Sequence, residues 1–324
     1  MPFIVAFCIG VALVPVAAAF ARRTGLVDVP GDLKVHATPI PLTGGLAAVA
    51  AAVAAVWLVA DGVSFGLLAA PLMLLIVGTI DDARPMSAKV RLACQLVAGA
   101  ILAAGLPLDG DPLLFALTVV VVAASANAVN LIDGQDGLAG GLGACAAIGL
   151  ALVVGSATRL GGFELALGGG LAGFLVWNRP PAKIFLGNGG AYAVGTLLAA
   201  GGMTAVARGS WTGLLAALVC LGLFVFELFF TVARRLHAGD GLTAGDRYHS
   251  YDLMALKRSR PVVTLIFWGI AALAAAAGWM VVRLPLAPGV VTIAVVSLLA
   301  SLTAYRLWSN FISIEEQRLK GSMR

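Results

Sequence analysis

The chain has 324 residues, of which 60% are hydrophobic and 11% charged, with a mean hydropathy of +1.00. That is too little polar surface to coat a soluble globule, so the composition is that of a polytopic membrane protein. The excess of base, 21 Lys and Arg against 16 Asp and Glu, sits between apolar runs and reads as membrane topology, not as a nucleic-acid signature.

Apolar stretches of about 20 residues, the length that crosses a bilayer, are predicted at 2–20, 43–61, 64–80, 89–107, 113–128, 137–156, 160–177, 190–206, 211–233, 261–282 and 287–306. The expected fold is an all-α bundle of about eleven transmembrane helices, with residues 1–324 forming one integral-membrane domain. Pro71 and the Gly- and Ala-rich stretch 137–177 blur the boundaries of the spans that contain them. The first span has no basic leader and is followed by Arg22-Arg23, so it reads as an uncleaved helix. Cys8, Cys94, Cys145 and Cys220 each fall inside a span without a CxxC, which suits helix packing and suggests neither a zinc site nor a disulfide framework.

Lys and Arg stay on the cytoplasmic side. All but three of the 21, namely Arg159, Arg208 and Arg283, fall on one side. The N-terminus is thereby expected outside and the C-terminus in the cytoplasm, with a longer cytoplasmic loop at about 234–260. The same assignment, which used only Lys and Arg, puts Asp81, Asp82, Asp133, Asp136, Asn188, Asp246 and His249 on the cytoplasmic face.

Along the chain, the first polar group is Asp81-Asp82, followed by Lys89 and Arg91. Adjacent carboxylates at a membrane edge need a cation or a base, and with nearby bases they suit Mg²⁺ held against a phosphate. The bland alternative is a pair of helix caps. In the second group, Asn127, Asn130 and Asp133 recur at three-residue spacing before Gly134 and Gly137 loosen the backbone around Asp136. Gly140, Gly141 and Gly143 follow it; they fit close helix approach better than a phosphate loop. The third, Gly187-Asn188-Gly189-Gly190, enters the eighth span and is weak alone. The fourth is the loop with Arg247 and His249, either an anion grip or a solvated basic loop beside anionic lipid. Glu227 lies just before it, inside the ninth span.

Together these segments, from Lys34-Val-His36-Ala-Thr-Pro39-Ile-Pro41 through Asp81-Asp82 and Asn130-Leu-Ile-Asp133-Gly-Gln-Asp136-Gly to the loop at His249, resemble the polyprenyl-phosphate N-acetylhexosamine-1-phosphate transferase family. That resemblance implies ten or eleven membrane helices around a cytoplasmic active site in a bacterial-type plasma membrane. It implies a reaction in which a polyprenyl (undecaprenyl-type) phosphate attacks the sugar-linked phosphate of a UDP-sugar, with Mg²⁺, or Mn²⁺ in its place, as cofactor. It implies catalytic roles for Asp81, Asp82, Asp133, Asp136 and His249, and substrate contacts from Lys34, His36, Lys89, Asn127, Asn130 and Arg247. The metal would fall to Asp81, Asp82 and Asn188.

Three positions depart from the family pattern. Asn188 stands where the family has a metal-binding Asp, Glu227 where it has Asp, and the His-x-His-His signature is reduced to His249-Ser250-Tyr251-Asp252. Two other readings stay open. One is a divergent member that binds polyprenyl phosphate or nucleotide-sugar without turnover; the other is a membrane transporter, which calls for polar residues near the midplane. Monomer and homodimer are equally compatible with the sequence.

Overall fold

The computed structural model describes residues 1–31, 36–59, 65–208, 211–243, 245–283, 303 and 306–314. In chain order the elements are α1 (Pro2–Thr24), β1 (Val27–Asp28), β2 (Ile40–Pro41), α2 (Gly44–Val59), α3 (Phe65–Ala83), α4 (Ala88–Gly105), α5 (Pro112–Ile132), α6 (Leu138–Val154), α7 (Arg159–Asn178), α8 (Gly187–Ala207), α9 (Trp211–Cys220), α10 (Gly222–Ala238), α11 (Ser250–Ala255) and α12 (Arg260–Arg283). Ten of the predicted spans fall on helices. The eleventh, 287–306, lies almost wholly outside the described residues, as does Lys34.

Seven of these helices are long and apolar enough to cross a membrane, and eight if α9 and α10 count as one span bent by 70°. The molecule is an integral membrane protein. Helices α2 and α6 are apolar but shorter. The third span runs unbroken through Pro71, as membrane helices allow where neighbours re-satisfy the freed carbonyl. One feature departs from all-α: β1 and β2 pair antiparallel, Val27 opposite Pro41 and Asp28 opposite Ile40.

Local chemistry sets the helix ends. Ser87, Asp111 and Thr158 cap α4, α5 and α7 by accepting backbone N–H groups with their side chains. Helix α1 ends at Gly25 in the left-handed conformation, with Arg22 and Arg23 in the last turn, where cations suit the carbonyl end.

The core is built on α8, which packs against α2, α3, α5, α6, α7 and α9 and is the most buried of the candidate spans. Small residues make this possible, because without them the backbones could not approach. A Cβ on Gly45 would fall on Gly190, and one on Gly78 on the Asn188–Gly189 backbone. Glycines 140, 141 and 143 also serve close approach, against Phe174, Trp268 and Leu171 respectively.

Glu164 of α7 is fully buried, and neither carboxylate oxygen has a hydrogen-bond partner among the described residues. A buried acid without a partner is costly. Replacing it with Met, of similar volume, is expected to raise stability by about 1–2 kcal/mol in thermal unfolding in detergent. A fall would mean that the carboxyl is paired.

Candidate active site

The C-terminal ends of α3, α5 and α7 and the N-terminal ends of α6, α8 and α12 meet at one end of the bundle around a cavity of about 620 Å³. Its wall carries five carboxylates, Asp28, Asp81, Asp82, Asp133 and Asp136, together with His36, Asn130, Asn188, Arg247 and Arg260.

The two adjacent acids of α3 are in different states. Asp81 is buried and its oxygens are engaged: Oδ1 accepts the Met86 N–H at 2.7 Å, and Oδ2 accepts from Arg91 Nη1 at 3.2 Å and Asn188 Nδ2 at 3.0 Å. Asp82 accepts the Asn188 N–H at 3.2 Å and pairs with no Lys or Arg among the described residues. One helical step separates them, so Asp81 turns toward α4 and α8 while Asp82 faces the cavity.

Asn188 bridges the site. Its carbonyl accepts from Asn130 Nδ2 at 2.7 Å while its amide donates to Asp81. A carboxylate only accepts, so the NH₂ group must face Asp81 and the oxygen Asn130. The amide thus joins α3, α5 and α8 at a point where a third carboxylate would be repelled by Asp81 unless a cation lay between them.

Asp133 caps α5, and the Gly187 N–H at the start of α8 points at it. Burial, reinforced by the charges of Asp82 and Asp136, holds its carboxyl well above the usual carboxylate range. Gly187 takes φ +77°, which lets the chain turn into α8 beneath these acids. Asp136 Oδ2 accepts the Ala182 N–H at 2.9 Å. At the rim, His36 places Nε2 2.8 Å from Asp28 Oδ2 and Nδ1 2.8 Å from the Thr38 carbonyl, with its ring edge on Phe185.

Among the described residues no three His, Cys, Asp or Glu side chains stand together as a ready-made metal shell. Asp82 and Asp133 are the pair that suits a divalent cation. Both line the cavity, each raises the cost of the other's charge, and neither is neutralised by a described base. Asp81 and Asn188 are already committed to protein partners.

The cations come from the end of α10, the loop after it and the start of α12. Arg234, completely buried, gives a two-pronged contact to Asp246 at 2.7 and 2.8 Å, and Arg235 adds a third bond at 3.0 Å. Burial alone would raise the Asp246 carboxyl, but these bonds hold it below the usual range. Further along, buried Glu227 accepts from His249 Nδ1 at 2.9 Å, from Thr231 Oγ1 at 3.0 Å and from the Ser250 hydroxyl. Tyr251 stacks on His249 and donates to the Leu131 carbonyl at 3.0 Å. These anchors bring Arg247 to the cavity.

Of the residues singled out in the sequence, Asp81, Asp82, Asp133, Asp136, Asn130, Asn188, His36 and Arg247 share this cavity. Asn127 points away, donating to Gln95 Oε1 of α4 at 2.7 Å. Lys89 lies exposed on α4, while Arg91, two residues on, meets Asp81. His249 does not line the cavity and serves as a loop anchor through Glu227. Sequence reasoning missed Asp28, Gln135, Asn178 and Arg260. In the sequence Arg260 reads as a topogenic charge, and Asp28 has no local motif.

The family model of glycosyl transferase family 4 matches residues 64–207, the segment that holds Asp81 to Asn188. The chain is 31% identical over 294 residues to a probable undecaprenyl-phosphate N-acetylglucosaminyl 1-phosphate transferase of Bacillus subtilis (strain 168), covering 82% of this chain and 80% of that protein. The chain belongs to glycosyl transferase family 4. Within the family it is also 30% identical over 308 residues to a decaprenyl-phosphate N-acetylglucosaminephosphotransferase of Mycobacterium tuberculosis, covering 79% of this chain and 76% of that protein. A phospho-N-acetylmuramoyl-pentapeptide-transferase of Acaryochloris marina is 35% identical over 207 residues, covering 55% and 54%. The cavity is therefore built largely from the part of the chain that defines the family.

Proposed function

We propose that this protein transfers a sugar-1-phosphate, of the N-acetylhexosamine class, from a UDP-sugar to a polyprenyl phosphate, releasing UMP and starting the synthesis of a cell-wall or surface polysaccharide. The observation that carries this reading is the convergence of Asp82, Asp133 and two arginines on one cavity at the base-rich end of a membrane bundle. The names of the relatives give the reaction class. By the distribution of Lys and Arg, that end faces the cytoplasm, where nucleotide-sugars are found, and the N-terminus lies outside.

In the reaction, an oxygen of the lipid phosphate forms a bond to the sugar-linked phosphorus of the donor as the bond from that phosphorus to the UMP oxygen breaks. Both partners are anions, so positioning and charge neutralisation are most of the work. Asp82 and Asp133 would hold Mg²⁺, which when bound lowers the repulsion between the two phosphates. Arg247 and Arg260 receive phosphate oxygens through charge-assisted hydrogen bonds. Asn130 and Asn188 keep α5 and α8 in register around the acids. Asp81, engaged by Arg91, Met86 and Asn188, fixes the end of α3 and so the direction of Asp82.

Purified protein in detergent, given polyprenyl phosphate, Mg²⁺ and a panel of UDP-sugars, should form a polyprenyl-diphospho-sugar from at least one of them. No lipid product across the panel would reject the reading in favour of a binding protein without turnover. Asn188→Asp is informative in the same assay. It puts a second carboxylate against Asp81, and it is expected to lower thermal stability without Mg²⁺ and recover it with Mg²⁺. Equal stability with and without the ion would place residue 188 outside its reach.

A further inference from the structure

Against five carboxylates, the described cavity wall offers two guanidiniums, Arg247 and Arg260. Both turn to one anion that does not line the cavity. Arg247 Nη2 stands 3.7 Å, and Arg260 Nη2 3.5 Å, from Oδ1 of Asp252. Asp252 is buried behind them, its side chain 5% exposed, and its Oδ2 has no hydrogen-bond partner among the described residues. The 3.5 to 3.7 Å separations are longer than good hydrogen bonds, so neither guanidinium is used up by the contact.

The backbone that carries Asp252 is fixed on both sides. Ser250 and His249 are tied to Glu227, Tyr251 is tied to Leu131, and the Arg260 carbonyl accepts from Gln135 Nε2 at 3.0 Å. The side chains of Arg247 and Arg260 are about a third exposed, and Arg247 Nη1 also reaches the Gly134 carbonyl at 3.4 Å. Long cations beside Asp133 and Asp136 would otherwise fold onto those acids and neutralise them.

We propose that Asp252 is a positioning residue: from behind the wall it holds the Arg247 and Arg260 guanidiniums side by side and away from the cavity acids, so that they receive the phosphate oxygens of a substrate as a pair. This rests on the transfer reading above and names the groups that would receive phosphate in it. The phosphate oxygens belong either to the donor diphosphate or to the lipid monophosphate, and separate KM values distinguish the two.

Asp252→Asn is expected to raise the KM of one substrate about fivefold and leave kcat and the other KM within about twofold, as loss of two partly exposed ion pairs would. A rise for the UDP-sugar assigns the pair to the diphosphate; a rise for the polyprenyl phosphate assigns it to the lipid. Asp252→Glu, which keeps the charge, should restore most of the loss. In an Arg247→Gln/Arg260→Gln background, adding Asp252→Asn should change KM no further, since its effect passes through those two side chains. If Asp252→Asn does not fold, Asp252→Ser serves as the neutral variant. Unchanged KM values, a lowered KM, or a loss that persists in the double-arginine background would overturn the inference while leaving the transfer reading intact. Equilibrium binding of UDP to native and Asp252→Asn protein separates the two claims. A native protein that binds UDP more tightly than the variant but transfers nothing defeats the transfer reading alone, and one that neither binds nor transfers defeats both.

Discussion

Replacing Asp82 by Asn is expected to lower kcat by about a thousandfold or more with little change in stability. Asp82 faces the cavity and accepts the Asn188 backbone N–H, a bond that an Asn side-chain oxygen can keep. The fold therefore keeps its contact, while the charge needed beside two phosphates is gone. Asp81→Asn should behave differently. Asp81 accepts from Met86, Arg91 and Asn188 and is buried, so the variant leaves Arg91 without its counter-ion and one oxygen replaced by a donor facing donors. The expected loss is about 2 kcal/mol of stability with a smaller fall in kcat, about ten- to a hundredfold. Steady-state kinetics and thermal unfolding of the two variants side by side check the assignment. The reverse pattern, Asp81 silent in stability and Asp82 destabilising, would exchange the roles.

The second large effect is expected from a single methyl group. A Cβ on Gly78 overlaps the backbone of Gly189 and Asn188, neither of which can swing aside as a flexible side chain could. Gly78→Ala must therefore push α3 and α8 apart at the level where Asp82 meets the Asn188 N–H. Overpacking of this kind costs about 1–3 kcal/mol, and a displacement of about 1 Å between catalytic groups costs about a hundredfold in rate. The variant should melt lower and transfer at most about 1% as fast as native protein. Gly222→Ala, where a Cβ meets nothing within 4 Å, supplies the control.

Much of the site could be read from residue types, because acids are rare in so apolar a chain and each had to have a reason. Asp81-Asp82, Asp133 and Asp136 stand out for that cause, and they line one cavity together with Asn188. The rest depends on side-chain direction, which residue type alone does not give. Asn127 shares the three-residue spacing of Asn130 and Asp133, yet six residues on an α-helix return to a point about 120° away. That turns Asn127 onto Gln95 of α4. Lys89 and Arg91 are separated by about 200° around their helix, so one meets Asp81 and the other solvent. The glycines that let α8 occupy the centre resemble, in sequence, the glycines of any loop. The bend between α9 and α10 is masked by continuous apolar character across Cys220 to Gly222. Arg260 sits at a helix start on the basic side, where an arginine needs no further explanation from sequence alone.

The central claim is that the acidic cavity performs phosphoryl transfer between two substrates. Its most direct test is release of UMP from a UDP-N-acetylhexosamine by purified protein, measured with and without polyprenyl phosphate and with and without Mg²⁺, for native protein and Asp82→Asn. The account predicts UMP from the native protein only when both lipid phosphate and Mg²⁺ are present, and almost none from the variant. Release at equal rates from native and Asp82→Asn protein, or release that does not depend on the lipid, would contradict it.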